Sequence, residues 1–250
     1  MPEQALINTS PTSSDEVLRL LIPGSLCDAR LFAPLCSHWP KARQVQCASL
    51  HPLQDPMDWW RAQLDHLPHR FDVIGFSLGG LLAQCLLRLA PERVRSVVLI
   101  ASSADAASPT HLERWQAQQT QWHQLGPRAL AQNMAQLASP SLSAAHIELL
   151  QDMAHSTPEP SFMAQGQFNA SRPSGLPVLS TNASPLCLIS GMSDPWCTPA
   201  VQARMQQIRP DAHHQQVAQS GHYLPLEAPA EVAQCIEQFL SSISPSKPTP

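Results

Sequence analysis

Six short strand-like runs punctuate this chain: Val17 to Ile22, Gln44 to Ser49, Phe71 to Phe76, Val94 to Ala101, Leu186 to Ser190 and His213 to Ala218. Several are continuously apolar, the pattern of strands covered on both faces rather than on one. Helical patterns lie between them at Met57 to His66, Leu78 to Leu89, Pro199 to Ile208 and Pro229 to Leu240. Strand, helix, strand alternation implies a parallel sheet with packed helices, because parallel neighbours need a long crossover. The expected fold class is α/β, with the six runs making up most of the sheet. The rhythm breaks over residues 105–181, a Gln-, Ala- and Met-rich stretch that reads as several helices inserted as a cap. Within it Leu112, Trp115 and Trp122, and then Leu130, Met134 and Leu137, recur at helical spacing, giving stripes that either pack the cap onto the core or line a pocket. The expected organisation is a core of residues 17–104 and 182–240, the cap at 105–181, and turn-rich flexible segments at 1–16 and 241–250.

Composition removes several functions. The 15 basic residues are outnumbered by 19 acidic ones, so no polycationic surface for nucleic acid or anionic lipid is expected. No apolar run approaches the roughly 20 residues that span a bilayer, and residues 1–15 lack the basic start and apolar stretch of a secretory signal. Seven scattered cysteines without a CxxC pair read as reduced thiols in a cytoplasmic protein. No His, Cys or carboxylate cluster has metal-ligand spacing, and no Gly-rich phosphate cradle follows the first strand, so neither metal nor cofactor is expected.

Glycine is scarce, 9 residues against 25 prolines, which makes its positions informative. Six of the nine fall in four turns at strand ends: Pro23-Gly24-Ser25, Gly75-Phe76-Ser77-Leu78-Gly79-Gly80, Gly191-Met192-Ser193-Asp194 and Ser220-Gly221-His222. The second is a strand, G-x-S-x-G, helix sequence, in which the glycines allow a strained turn that lifts the Ser77 hydroxyl toward a helix N-terminus. A serine hydroxyl is a poor nucleophile until a base removes its proton, and that base must be oriented by a third group. His222, in a glycine turn after a late strand, is the expected base; His213 and His214 lie in that strand and read as packed or solvated side chains. Asp194 is the expected acid, with Asp105 as the alternative. For the oxyanion two backbone N–H groups are needed: Leu78, after the serine, and Ser25 in the first turn, with the Leu26 amide as next choice. Leu26, Phe76, Trp196 and Phe168 are expected to line a substrate pocket without large charge. Arg172 reads chiefly as a surface arginine before a turn, with contact to an acidic substrate tail as the lesser reading.

At these residues the chain resembles the α/β-hydrolase family over nearly its whole length. GFSLGG around Ser77, GMSDPWCTP around Asp194 and GHYLPLEAP around His222 are similar to the family's three motifs, in its Ser, Asp, His order. The nearest likeness is to small capped bacterial members near the pimeloyl-[acyl-carrier protein] methyl ester esterase and cyclohexadiene-carboxylate synthase branches. Pro23 departs from the His-Gly pair of many relatives, and the short stretch before Val17 leaves little room for the family's first two antiparallel strands. The resemblance implies a cofactor-free serine hydrolase cleaving a small-molecule carboxylic ester, with a small alcohol leaving group and a medium acyl chain. An acyl-carrier-bound ester is the variant form, which Arg114, Arg128 and Arg172 would have to receive. The chain is expected to act as a monomer or dimer. Two rival functions keep the same fold: a lyase or C–C hydrolase using the triad for proton abstraction, and a ligand-binding scaffold without turnover.

Overall fold

A computed structural model describes residues 17–139 and 141–243. Its sheet has six strands, β1 (Arg19–Ile22), β2 (Val45–Cys47), β3 (Phe71–Phe76), β4 (Val94–Ile100), β5 (Leu186–Gly191) and β6 (His213–Val217). All neighbours are parallel in the order β2-β1-β3-β4-β5-β6, so the order reverses at β1 and β3. In open parallel sheets ligands bind outside the carboxyl ends of the strands at such a reversal. The turns that follow β1 and β3 carry Ser25 and Ser77.

The helices follow from local chemistry. After β1 come α1 (Ala33–Cys36) and, beyond β2, α2 (Pro56–Leu64), which starts one residue earlier than its apolar pattern because Asp55 caps Met57 and Asp58 and Pro56 fits the first turn. Helix α3 (Leu78–Leu89) is apolar nearly all round and is buried from Leu78 to Leu87. It lies under Trp60, which is fully buried and donates from Nε1 to the Leu82 carbonyl at 2.7 Å. Between β4 and β5 the chain is helical: α4 (Pro109–Ala138), α5 (Ala144–Ser156), α6 (Glu159–Ser171) and α7 (Leu176–Thr181). Helix α4 breaks at Gly126, where φ is +82° and Pro127 follows, since proline removes a backbone donor and its ring clashes with the preceding turn. The C-terminal part of the chain adds α8 (Pro199–Ile208), α9 (Leu224–Glu227) and α10 (Pro229–Ser242).

Two apolar layers cover the two sheet faces, one including Phe76, Ile189 and Ile236, the other Leu20, Val73 and Leu188. A third cluster belongs to the inserted helices and centres on Phe162, stacked on Trp122 at 4.2 Å and edge-on to Trp115 at 4.9 Å. The stripes expected in this region split accordingly. Trp115, Trp122 and Leu130 are buried, whereas Leu112 and Leu137 are exposed at 46% and 64%, because helical spacing sets a face but not how much of it is covered. At the amino end of β3, Asp72 is buried and takes a two-point contact from Arg95 and a 2.6 Å bond from Ser96 Oγ. Helix α10 runs through Ser242, two residues into the segment expected to be flexible; residues 1–16 and 244–250 lie outside the described residues. Among the described residues no helix is long and apolar enough to cross a membrane.

Candidate active site

Three loops at the carboxyl end of the sheet bring Ser77, Asp194 and His222 together. Ser77 sits between β3 and α3 at φ 51°, ψ −113°, a conformation that costs a non-glycine residue about 1–3 kcal/mol and persists only when its surroundings enforce it. The enforcement is steric and hydrogen-bonded. Gly79 passes so close to β1 that a Cβ would lie 2.1 Å from the Ile22 carbonyl oxygen, while Ser77 N–H donates to Ile100 and Ser102 Oγ donates to the Ser77 carbonyl. The Ser77 hydroxyl stands 2.9 Å from His222 Nε2.

His222 Nδ1 lies 2.8 Å from Asp194 Oδ2, which puts the proton on Nδ1 and leaves Nε2 free to accept from Ser77. The imidazole is boxed by Trp196, edge-on at 4.7 Å, and by Phe76 at 5.2 Å. Its backbone is held from α4: His222 N–H faces both Ser139 Oγ and the Ala138 carbonyl, and Ser139 donates in turn to Glu227. Asp194 is 3% exposed. Burial pushes its carboxyl pKa up, but the charge and hydrogen bond of His222, then the amides of Cys197 and Trp196 on Oδ1, outweigh it and hold the pKa below the ordinary value. A lowered carboxylate pKa stabilises the fold fully above the unfolded value of about 4, and that contribution is lost as pH falls through the lowered pKa. Asp105, the alternative acid, is far from this role: its carboxylate is clasped by Arg204.

The three candidate amides fare differently. Among the described residues, the N–H groups of Ser25 and Leu78 donate to no protein acceptor. Leu26 N–H is taken by the side-chain oxygen of Gln165, which also accepts from Ser25 Oγ, both at 3.1 Å. Gln165 is buried on α6, beside Gly166, whose missing Cβ makes room for the Trp115 ring. It pins the first turn to the inserted helices, a role that a lone polar residue in a helical stretch does not announce.

A cavity of about 130 Å³ opens at Ser77 and His222. Trp196 lines it as expected, along with Leu78, Leu81, Met134 and Val201. Three other expected lining residues do not. Phe76 is 1% exposed and faces the core, because strand alternation turns it away from the Ser77 side of the turn. Leu26 packs into the cluster of Trp115 and Phe162, and Phe168 lines a separate small cleft with Cys85 and Arg88, next to the cavity across Leu81 and Arg172. The cavity wall is also more polar than expected. His111, Arg114 and Arg172 enter it from the inserted helices, and Arg172 is 5% exposed rather than a surface residue.

All seven cysteines are free. Topology unites Cys187, His213 and Cys235, far apart in sequence, with ligand atoms within 4.8 Å of one another and the two sulfurs 4.0 Å apart; thiolate and imidazole donors suit soft cations. Asp194, Cys197 and His222 are equally close. There, burial, followed by the Asp194 charge, raises the Cys197 thiol well above its ordinary pKa and keeps it protonated, which makes it a poor ligand.

A family model for the alpha/beta hydrolase fold matches residues 48–229, most of the chain and all three of these loops after the first turn. The chain belongs to the α/β-hydrolase family. No curated protein matches it by sequence. Solved α/β-hydrolase-like structures superpose over nearly its whole length. A thermophilic esterase from Thermogutta terrifontis, in a malate-bound form, shares 19% identity at TM-score 0.79, covering 96% of this chain and 99% of that one. The enol-lactonase from Burkholderia xenovorans LB400 shares 19% at 0.77, covering 92% and 93%. MenH from S. aureus shares 16% at 0.76, covering 95% and 98%. At such identities the likeness is one of fold. Among the described residues of this α/β-hydrolase, the six parallel strands read from the sequence are the six observed.

Proposed function

We propose that this α/β-hydrolase cleaves a carboxylic ester through an acyl-enzyme on Ser77. The observation that carries the reading is the continuous relay Ser77 Oγ, His222 Nε2, His222 Nδ1, Asp194 Oδ2, with bonds of 2.9 and 2.8 Å. Ser77 Oγ attacks the ester carbonyl while His222 Nε2 takes its proton. The resulting oxyanion is held by the uncommitted Leu78 and Ser25 amides, the first of them at the N-terminus of α3, an interaction worth about 3 kcal/mol per donor in the transition state. His222 then returns the proton to the departing alkoxide, giving acyl-Ser77 and free alcohol. A water molecule, deprotonated by His222, attacks the acyl carbonyl, and the proton passes back to Ser77 as the acid leaves. Asp194 stays ionised throughout, fixing the imidazole tautomer and stabilising its cationic form. Esterases and an enol-lactonase among the structural neighbours agree with this chemistry.

Cavity size refines the substrate. At about 130 Å³ the cavity is near the 150 Å³ that accommodates benzene in an engineered protein core, so a compact acyl group fits better than the medium chain expected from sequence. On a ladder of p-nitrophenyl esters from acetate to dodecanoate, kcat/KM is expected to peak at roughly two to six acyl carbons. An optimum at decanoate or dodecanoate would contradict the compact pocket. No hydrolysis of any ester, with Ser77 still labelled by a fluorophosphonate, would transfer the triad to the proton-abstraction reading.

A further inference from the structure

Arg114 and Arg172 share the wall of the Ser77 cavity, and among the described residues neither forms a salt bridge. Arg172, at the C-terminal end of α6, donates from Nε to the Asp105 carbonyl and from Nη1 to the Asn169 carbonyl and side-chain oxygen, and its Nη2 lies 3.1 Å from His111 Nε2. These partners are neutral oxygens and a ring nitrogen. They aim the guanidinium, which is 5% exposed, without bringing a carboxylate into contact with it. Arg114, half-buried on α4, lies over the face of Trp196 with its Cζ 5.7 Å from the ring centre, and that same indole packs edge-on to His222. The Asp105 carboxylate also lines the cavity but is committed to Arg204 on α8.

The third neighbour, His111, reports the field. Burial, and after it the charges of Arg172 and Arg114, push its pKa down, with Asp105 opposing. Its Nδ1 accepts from the Ser108 backbone N–H at 3.0 Å and lies 2.8 Å from Ser108 Oγ. Two like charges share one small cavity whose lining carboxylate, Asp105, is already paired with Arg204, and an anionic occupant offsets their repulsion. Arginine's planar fork suits a carboxylate.

We infer that Arg114 and Arg172 form a carboxylate subsite, so that the substrate is a compact ester carrying a second, ionised carboxyl group, such as the monoester of a short dicarboxylic acid. This rests on the ester-cleaving reading and gives it a substrate class. The ester carbonyl lies at Ser77 while the free carboxylate lies against the two guanidiniums, with Trp196 between the arginine side and His222. Binding energy from the remote carboxylate is then available to orient the scissile bond.

The test uses two substrates that differ only at the far end, monomethyl glutarate and methyl pentanoate, together with calorimetric titration of glutarate itself. Wild type is expected to show kcat/KM for the hemiester at least about tenfold above that for the neutral ester, the least that one charge-assisted hydrogen bond supplies. Arg114→Gln, half-buried and without a backbone role, is expected to bring that ratio toward one, mainly through KM. Arg172→Lys, which keeps the charge but loses the fork, is expected to lower it by a smaller factor. Glutarate is expected to bind wild type saturably and Arg114→Gln at least about tenfold more weakly. Equal or better turnover of methyl pentanoate, or no saturable glutarate binding, would overturn the subsite. Glutarate binding that depends on Arg114, without hydrolysis of either ester, would uphold the subsite and sink the ester reading instead.

Discussion

Ser77→Ala is expected to lower kcat for ester hydrolysis by about 10⁶-fold while leaving the folding midpoint nearly unchanged. The magnitude is what removal of the nucleophile from a comparable triad costs, and the geometry explains why nothing replaces it. His222 Nε2 faces only the Ser77 hydroxyl at 2.9 Å among the described residues, and the one nearby thiol, Cys197, is raised well above its ordinary pKa and donates to the Ala101 carbonyl. Stability should move by less than about 1 kcal/mol, since alanine keeps the backbone bonds to Ile100 and Ser102 that hold the turn. His222→Ala should be as severe, and the double variant no worse than either single one, because the two side chains act as one unit. Steady-state kinetics with thermal melts on the three variants checks this. Additive losses would mean that the serine and histidine serve separate steps.

Gly79→Ala is expected to be among the most damaging small substitutions in the protein. A Cβ at that position would lie 2.1 Å from the Ile22 oxygen, 2.7 Å from the Ile22 carbonyl carbon and 2.8 Å from the Pro23 oxygen. All three are backbone atoms, so no side-chain rotation relieves the clash. Relief requires the start of α3 to move off β1, which separates the Leu78 amide from the Ser25 amide. The expected result is a loss of at least about 3 kcal/mol, at the upper end of overpacking effects, with activity per folded molecule falling as well. Gly126→Ala is the internal comparison. No atom lies within 4 Å of its would-be Cβ, so only the strain of φ +82° counts, about 1 kcal/mol. Denaturant midpoints for the two variants decide the matter: comparable losses would show that close approach at Gly79 is not what holds the turn.

The parts of this molecule that were legible in its sequence are those written in contiguous residues. Continuous apolar runs announced strands buried on both faces, and four of the six runs ended in a glycine-containing turn that announced where a side chain would be displayed. The parts that were not legible depend on chain segments far apart. Phe76 sits beside the nucleophile in sequence yet points into the core, since adjacent strand residues face opposite ways. Leu26 and Phe168 were claimed by apolar clusters of the inserted helices and of α3. Arg114 from α4 and Arg172 from the end of α6 meet at the cavity through the packing of those two helices, and a helical stripe does not reveal which groove its helix will occupy. Gln165 shows the same limit: only the folded chain brings it to the turn after β1.

The central claim is a shared acyl-Ser77 intermediate, and partitioning tests it most directly. Wild type would be given the methyl, phenyl and p-nitrophenyl esters of one short acid in water containing a fixed concentration of ethanol, and the ratio of ethyl ester to free acid formed would be measured for each. An acyl-enzyme has lost its leaving group before water or ethanol attacks, so one ratio is expected for all three substrates, and no product of either kind from Ser77→Ala. Ratios that change with the leaving group, or products that persist in Ser77→Ala, would contradict the mechanism.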